Sequence, residues 1–468
     1  MRGAVASRCR RQTVHEASAD RSKLARKTNK NRPQNEQNPT AKRTLKTIPV
    51  QMGAMVGGVE RYDRFVSSWV QELLRNFPVV MIQGARQVGK STLTQMLDNP
   101  VGTQFVTMDD ELDRHFVEDD PAAFLSQDAP RVVIDEIQRV PELILAIKRH
   151  VDRHDRPGQL ILTGSANLLR IPGAEDSLAG RAVSVDLEPL AEAEIQGARA
   201  TWVDRFLAGD GLGDGETLSR GQLAEMLGRG GYPRPLNMSH QVRASWLRDY
   251  ARRLVERDAL DLARIDVANM YKLLEWVGAT TSEELVKEKM AETLGISRPT
   301  VARYLEHLKT LFLVREVPVW SHNQLKRVVS RPKILLNDTG LAAALAHDSV
   351  DMLAGPRGGE RLGSLLETFV VNELIKQSHW AKNDYRVGHF RSREGSEVDA
   401  VVELPHGIVA VEVKTTSAPK TSHFRHLKQL RDSLGDEFLG GVVVNTGRAA
   451  QAGDRLWAVP VSALWSGH

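Results

Sequence analysis

The sequence predicts an α/β protein organised round a phosphate-binding loop, and three stretches carry that expectation. The first is Pro78-Val-Val-Met-Ile-Gln-Gly-Ala-Arg-Gln-Val-Gly-Lys-Ser-Thr-Leu93, a β-branched apolar run that ends in a glycine and restarts in helix formers. The second is Pro130-Arg-Val-Val-Ile-Asp-Glu-Ile-Gln138, where four residues of strand character run directly into two carboxylates. The third is Gln159-Leu-Ile-Leu-Thr-Gly164, a further buried strand that leads into Ser165-Ala-Asn167.

Gly84, Gly89, Lys90 and Ser91 fit G-x-x-x-x-G-K-[ST]. The two glycines let the backbone wrap an anion with its N–H groups turned inward, and the following helix presents its positive end to the same phosphates. Ala85, Arg86, Gln87, Val88 and Thr92 complete the ATP-binding set. Lys90 is expected to reach the β- and γ-phosphates and the Ser91 hydroxyl to bind Mg²⁺. A glycine turn that matches by chance would lack the strand before it and the helix after it.

The acidic pair supplies the second half of such a site. Asp135, at its strand end, is expected to order Mg²⁺, and Glu136 to polarise the attacking water. Polar groups at the end of the next strand can touch the γ-phosphate or its water, which makes Ser165 and Asn167 candidates. Ser165 reads equally well as a helix cap.

Composition sets outer limits. A chain of 468 residues, 41% hydrophobic and 26% charged, should hold about three soluble domains. No run of about 18 apolar residues is present to span a membrane. The single cysteine, Cys9, allows no intrachain disulfide and suits a reducing cytoplasm. The net charge of +4 is uneven: residues 1–50 hold 13 Lys+Arg against 3 Asp+Glu, so the remainder is mildly acidic.

Taken in order, residues 1–58 are polar and basic without an apolar period and should be disordered, either a basic arm for nucleic acid or an acidic partner, or an extension without a role. We favour the extension, since Met52 and Met55 stand just before the ordered chain. From Val59 to Asn76, Phe65, Trp69, Val70, Leu73 and Leu74 recur at helical spacing. Thr103–Asp109 reads as a strand and Glu111–Val117 as a helix. Gly209–Gly221 reads as an exposed loop and Gly230-Gly-Tyr-Pro-Arg-Pro235 as a turn cluster. Trp246–Ala263 reads as one helix whose dense charges form a solvated face. Residues 290–308 have helix-turn-helix patterning, with Ser297 as cap, Pro299 in the first turn, and Arg298, Thr300, Arg303 and Tyr304 on the second helix. Leu311–Val319 would form a wing strand. Such a unit either reads DNA or serves as a packing module.

Gly84-Ala-Arg-Gln-Val-Gly-Lys-Ser91, Ile134-Asp-Glu-Ile-Gln138, Leu162-Thr-Gly-Ser165 and Ser177-Leu-Ala-Gly-Arg181 followed by Leu187-Glu-Pro-Leu190 resemble the AAA-like P-loop ATPases of bacteria and archaea that carry a C-terminal domain of unknown function. The resemblance runs from about Glu60 to Trp465. It implies that Arg181 senses or stabilises phosphate charge, a role for which a planar, permanently charged donor is suited.

The last segment holds a second constellation. Leu365–Leu374 reads as an amphipathic helix with Glu367 and Glu373, followed by a hairpin of Glu397–Glu403 and Ile408–Lys414 turning at Pro405-His-Gly407. Asp399 and Glu412 fall at neighbouring strand ends, and alternation puts Lys414 on the face of Glu412. This segment resembles the PD-(D/E)xK nucleases, with Glu367 matching their additional acid. The resemblance implies Mg²⁺ held by Asp399 and Glu412 against a scissile phosphate, with Lys414 orienting the water. A plain salt bridge from Lys414 to either acid would also satisfy these charges.

The expected layout is a tail over 1–58, an AAA-like P-loop NTPase core over 59–207, a linker over 208–235, a helical, winged-helix-like region over 236–345 and a restriction-endonuclease-like α/β domain over 346–468. The expected function is ATP binding and hydrolysis by a protein whose nuclease-like C-terminal domain acts on DNA. The rival reading is a signalling or defence switch whose C-terminal domain binds a protein partner or a second copy; a third is nucleotide binding with negligible turnover. Deleting residues 1–50 is expected to leave the melting temperature and ATP turnover unchanged, because the segment has almost nothing to bury. A large fall in melting temperature would contradict this.

Overall fold

The computed structural model describes residues 61–126, 129–165, 178–198, 201–210, 212–213, 215–260, 266–322, 331–392 and 395–466. The chain divides after Lys46, and all described residues belong to the second unit, Thr47–His468. The expectations for residues 1–58, for Asn167 and for Ser177 lie outside the described residues.

Five parallel strands form the first sheet: β1 (Val79–Gln83), β2 (Gln104–Thr107), β3 (Val132–Asp135), β4 (Leu160–Gly164) and β5 (Ala182–Asp186), in the order β2-β3-β4-β1-β5. β1 and β4 are buried throughout, which is why their sequences are continuous apolar runs without alternation. The parallel register brings the C-terminal ends of the strands to one edge. Gln83 pairs with Gly164 and Asp186, and Thr107 with Asp135. The residues that follow β1, β3 and β4 therefore meet there.

The opposite edge corrects the reading of Arg181. Ala182 pairs with Val79, so Arg181 stands where β1 begins, not where it ends. Five residues of strand, roughly 15 Å, separate it from the phosphate loop. Its guanidinium pairs with Asp152 instead. The opening helix runs Ser67–Asn76 and buries Val70, Leu73 and Leu74, while Trp69 is 48% exposed. Trp69 lies at the border of the apolar stripe, where periodicity alone does not assign a face.

The stretch 208–235 is not a bare linker. It contains the helix Arg220–Arg229, capped by Ser219, with Leu223, Ala224 and Leu227 in the core. The helices His240–Leu260 and Val267–Ala279 follow. The helix-turn-helix pattern forms as Lys287–Leu294, a left-handed Gly295 and Arg298–Thr310, with the Ser297 hydroxyl accepting from Thr300 N. Tyr304 lies on the second helix as expected, is 2% exposed and accepts a hydrogen bond from Asp266 N. Arg298 pairs with Glu288 of the preceding helix. Three short antiparallel strands, β6 (Glu283–Glu284), β7 (Val314–Val317) and β8 (Lys333–Leu336), stand in the order β6-β8-β7.

The C-terminal part packs the helix Gly359–Ser378 on a six-stranded mixed sheet. Its strands are β9 (Arg386–Arg391), β10 (Glu397–Leu404), β11 (Gly407–Val413), β12 (Phe438–Asn445), β13 (Ala450–Gly453) and β14 (Leu456–Pro460). The expected hairpin is present as β10 and β11, with Leu404 paired to Gly407. Residues 318–320 extend this sheet, since Trp320 N donates to His389 O and His389 N to Pro318 O. Val80, Tyr232, Leu341, Phe369 and Leu464 belong to one continuous apolar core, so the expected domain borders are not breaks in packing.

Asp338 ties two of these parts together. It is 2% exposed, accepts from Gly231 N at 2.6 Å and from Leu341 N at 2.8 Å, and so caps the helix Thr339–Leu345. Asp338→Ala leaves both N–H groups buried and unpaired, and is expected to lower stability by about 2–4 kcal/mol. A shift of the urea midpoint measures this, with a smaller shift for Asp338→Asn, whose amide oxygen still accepts.

Candidate functional site

The phosphate loop turns through left-handed backbone at Gln87 (φ 61°) and Gly89 (φ 98°) before the helix Lys90–Met96 begins. Gly84 has a separate constraint. A Cβ there would lie 2.2 Å from Leu187 O, because the chain leaving β5 crosses the start of the loop. Lys90 is buried, and its ammonium donates to Gly84 O and Ala85 O, each at 2.9 Å. Burial pushes its pKa down to about 8, with Glu136 and Asp135 pulling the other way. Ser91 and Thr92 face the open side, and Ala85 and Val88 face the core.

The two acids at the end of β3 divide their partners. Asp135 accepts from Ser91 Oγ at 2.9 Å on one oxygen and from Thr163 Oγ1 on the other. Glu136 has left-handed backbone (φ 55°), and its Oε2 accepts from Ser165 Oγ at 2.9 Å and from Gln138 Nε2. Arg86 stands 3.9 Å from the same oxygen. Ser165 thus lies beside Glu136, while Arg181 is absent from this edge. A Ser hydroxyl next to a carboxylate is a hard oxygen donor set, which fits Mg²⁺.

Two residues that shape the loop carry no sequence motif. The Arg64 guanidinium donates to Val88 O and Glu188 O, each at 2.8 Å, and to Glu194 Oε1 at 3.0 Å. Tyr250 Oη donates to Arg86 O at 2.8 Å. Tyr250 lies on the helix expected to be a solvated face. That helix instead borders a cleft of about 650 Å³ between Arg86 and Gln87 on one side and Trp246, Tyr250, Arg253 and Arg257 on the other. Trp246 and Tyr250 stack there at 5.2 Å, with their rings 6° apart.

The C-terminal candidates also meet, though not round one point. Continuing the β10–β11 register sets Asp399 opposite Glu412. Lys414 Nζ lies 2.6 Å from Glu412 Oε1 and 3.7 Å from Asp399 Oδ2, and Asp399 Oδ2 also accepts from Val413 N. Glu367 meets a different ammonium. Lys333 Nζ is 2.7 Å from Glu367 Oε1, 2.9 Å from Glu397 Oε1 and 3.8 Å from Asp399 Oδ1. Burial, then the charge of Asp399, raises the pKa of both Glu367 and Glu412. Among the described residues no three acidic, histidine or cysteine side chains form a ready-made metal cluster, and Lys333 contacts both Glu367 and Asp399. Glu373 is remote from this group, buried against Lys376 and Glu192 N. Sequence reasoning missed Lys333 and Glu397. A lysine in the apolar stretch Lys333-Ile-Leu-Leu336 was an available signal, since a buried charge needs a partner.

Comparison with known proteins adds three matches along the chain. Residues 76–196 match the family described as AAA domain, residues 220–351 match a domain of unknown function (DUF8612), and residues 362–464 match another (DUF4143). Uncharacterized proteins of Mycobacterium tuberculosis and Mycobacterium bovis are each 29% identical over 380 residues, spanning 81% of this chain and 78% of their own. The Walker-type ATPase of Pyrococcus abyssi is similar over 61% of this chain and 96% of its own, at 17% identity and a TM-score of 0.37. AMPPCP-bound DnaA from Aquifex aeolicus is similar over 52% and 85%, at 14% identity and a TM-score of 0.27. With the AAA match and the loop geometry together, the N-terminal sheet is an AAA-like P-loop ATPase domain, and among the described residues no helix is long and apolar enough to cross a membrane.

The depressed pKa of Lys90 gives a test. Near pH 9 the free lysine is mostly neutral, whereas bound phosphates favour its charged form, so nucleotide binding should take up a proton. Calorimetry in buffers of different ionisation enthalpy is expected to show uptake rising toward one proton between pH 7 and pH 9. Uptake that does not rise would show that Lys90 is already charged in the free protein.

Proposed function

We propose that the chain binds and hydrolyses ATP with Mg²⁺ and that its C-terminal cluster is a metal-dependent, nuclease-like site acting on DNA. The observation that carries the ATPase half is the meeting of Lys90, Ser91, Asp135, Glu136 and Ser165 at one sheet edge. Lys90, now on the loop's own carbonyls, is placed to transfer its hydrogen bonds to phosphate oxygens. Ser91 and Asp135 would hold Mg²⁺, which neutralises phosphate charge in such sites. Glu136 is aimed at the position beside Ser165 where a water would be polarised. The cleft walled by Trp246 and the neighbouring arginines offers room for the rest of the nucleotide.

For the C-terminal half the support is the donor set. Glu367, Glu397, Asp399 and Glu412 crowd round two ammoniums, with Arg391 at the rim 3.4 Å from Glu397, and this crowding of acids is part of what raises the pKa of Glu367 and Glu412. Glu412 Oε2 is buried and has no hydrogen-bond partner. A carboxyl oxygen without a hydrogen-bond partner among crowded acids suits a hard divalent cation, and Asp399, Glu412 and Lys414 are the residues that would hold it and orient water. A specific observation also favours the switch reading, in which the domain only binds: Lys333 already neutralises part of the cluster.

ATP turnover measured with and without DNA, with the DNA inspected for cuts, tests both halves. Lys90→Ala is expected to weaken ATP binding at least about tenfold, whereas Glu136→Gln should leave binding intact and slow hydrolysis by about a hundredfold or more. Wild-type turnover in Glu136→Gln would remove Glu136 from its role. Asp399→Asn is expected to abolish Mg²⁺- or Mn²⁺-dependent cleavage. A wild-type protein that cuts neither DNA nor RNA leaves binding as the role of this domain.

A further inference from the structure

Lys333 is the least expected member of the C-terminal cluster. It begins β8, a strand of the middle region in which all four residues, Lys333-Ile-Leu-Leu336, are buried. The match to the C-terminal domain starts only at residue 362, so this ammonium comes from outside that domain. It is 3% exposed and lies 2.7 Å from Glu367, 2.9 Å from Glu397 and 3.8 Å from Asp399. Lys414 shares only Asp399 with this group, at its other oxygen, and pairs with Glu412. Asp399 therefore lies between two ammoniums, one native to the hairpin and one delivered by β8.

We infer that Lys333 is an internal counter-cation that holds Glu367 and Asp399 where a divalent cation would otherwise gather them, so that metal binding at this site requires its displacement. The inference rests on the metal-dependent reading of the site. A divalent ion gathered by Asp399, Glu412 and Glu367 would stand beside the Lys333 ammonium, and like charges so close in a buried site repel strongly. The carboxylate oxygens facing Lys333 are also unavailable while it is there. Glu412 Oε2, buried and without a hydrogen-bond partner in a residue that is 9% exposed, marks the side of the cluster away from the Lys333 ion pairs.

The same strand is tied to the ATPase domain. Asn337 and Asp338 follow β8 directly. Asn337 Oδ1 accepts from Arg315 Nε at 2.9 Å, and Arg315 reaches Glu188 at 2.6 Å, the residue whose carbonyl is held by Arg64 beside the phosphate loop. One end of a four-residue strand thus carries Lys333, and the other is tied to the ATPase domain.

The test is Mn²⁺ binding to the full chain without nucleotide, followed by calorimetry or electron paramagnetic resonance. Lys333→Met is expected to bind one Mn²⁺ at least tenfold more tightly than wild type. That ion should be lost in Lys333→Met/Glu412→Gln, and Lys333→Arg should bind as weakly as wild type. Wild-type protein that binds a Glu412-dependent Mn²⁺ as tightly as Lys333→Met overturns the inference while preserving the metal reading. No Glu412-dependent ion in either protein overturns both. If Lys333→Met does not fold, Lys333→Met/Glu397→Gln removes one charge of each sign, and it should still bind at least tenfold more tightly than Glu397→Gln alone; equal affinity overturns the inference.

Discussion

The fold depends on how the Arg64 guanidinium is satisfied. It is buried, so each N–H direction needs an acceptor, and it finds Val88 O in the phosphate loop, Glu188 O after β5 and the Glu194 carboxylate. The loop's shape is thereby set from behind by a residue 20 positions before it. The segment after β5 serves a second purpose. Leu187 crosses so close to Gly84 that no side chain fits, which fixes a glycine there independently of any phosphate.

From that segment polar contacts continue into the other two parts of the chain. Glu188 binds Arg315 of β7, Leu190 O accepts from Lys376, and Glu192 N donates to the buried Glu373. Leu190 N also donates to Gly231 O, whose own N–H is held by Asp338. Buried charges that are each paired specify one docking geometry, because a shifted arrangement would strand them without partners. This explains why one apolar core runs through regions that match three separate families.

Much of this was legible in the sequence, and the failures share a cause. The phosphate loop, the Asp135-Glu136 strand end, the helix pair round Gly295 and the β10–β11 hairpin are written in contiguous residues, where turn chemistry and periodicity act locally. Arg181 is read from its motif and Trp69 from its period, but motif and period do not fix surroundings: the parallel register puts Arg181 at the far edge, and Trp69 at the border of the stripe is exposed. Arg64, Tyr250 and Lys333 act through contacts to residues at least 20 positions away; no local pattern announces the first two, and for Lys333 the apolar stretch it opens signals a buried charge without naming its partners.

The two buried lysines show why position in a motif does not define electrostatic state. Lys90 is held by carbonyl oxygens, which bear only partial charge, and burial lowers its pKa despite Glu136 and Asp135 nearby. Lys333 suffers the same burial, but Glu367, Asp399 and Glu397 outweigh it and raise its pKa. A lysine on carbonyls gives up little when an anion arrives, since phosphate oxygens are the better acceptors. A lysine among carboxylates has no better partner to move to, and anything that replaces it must bring at least as much positive charge. The ATP loop is therefore arranged to release its ammonium to an incoming anion, whereas the C-terminal cluster is arranged to retain its own against all but a cation.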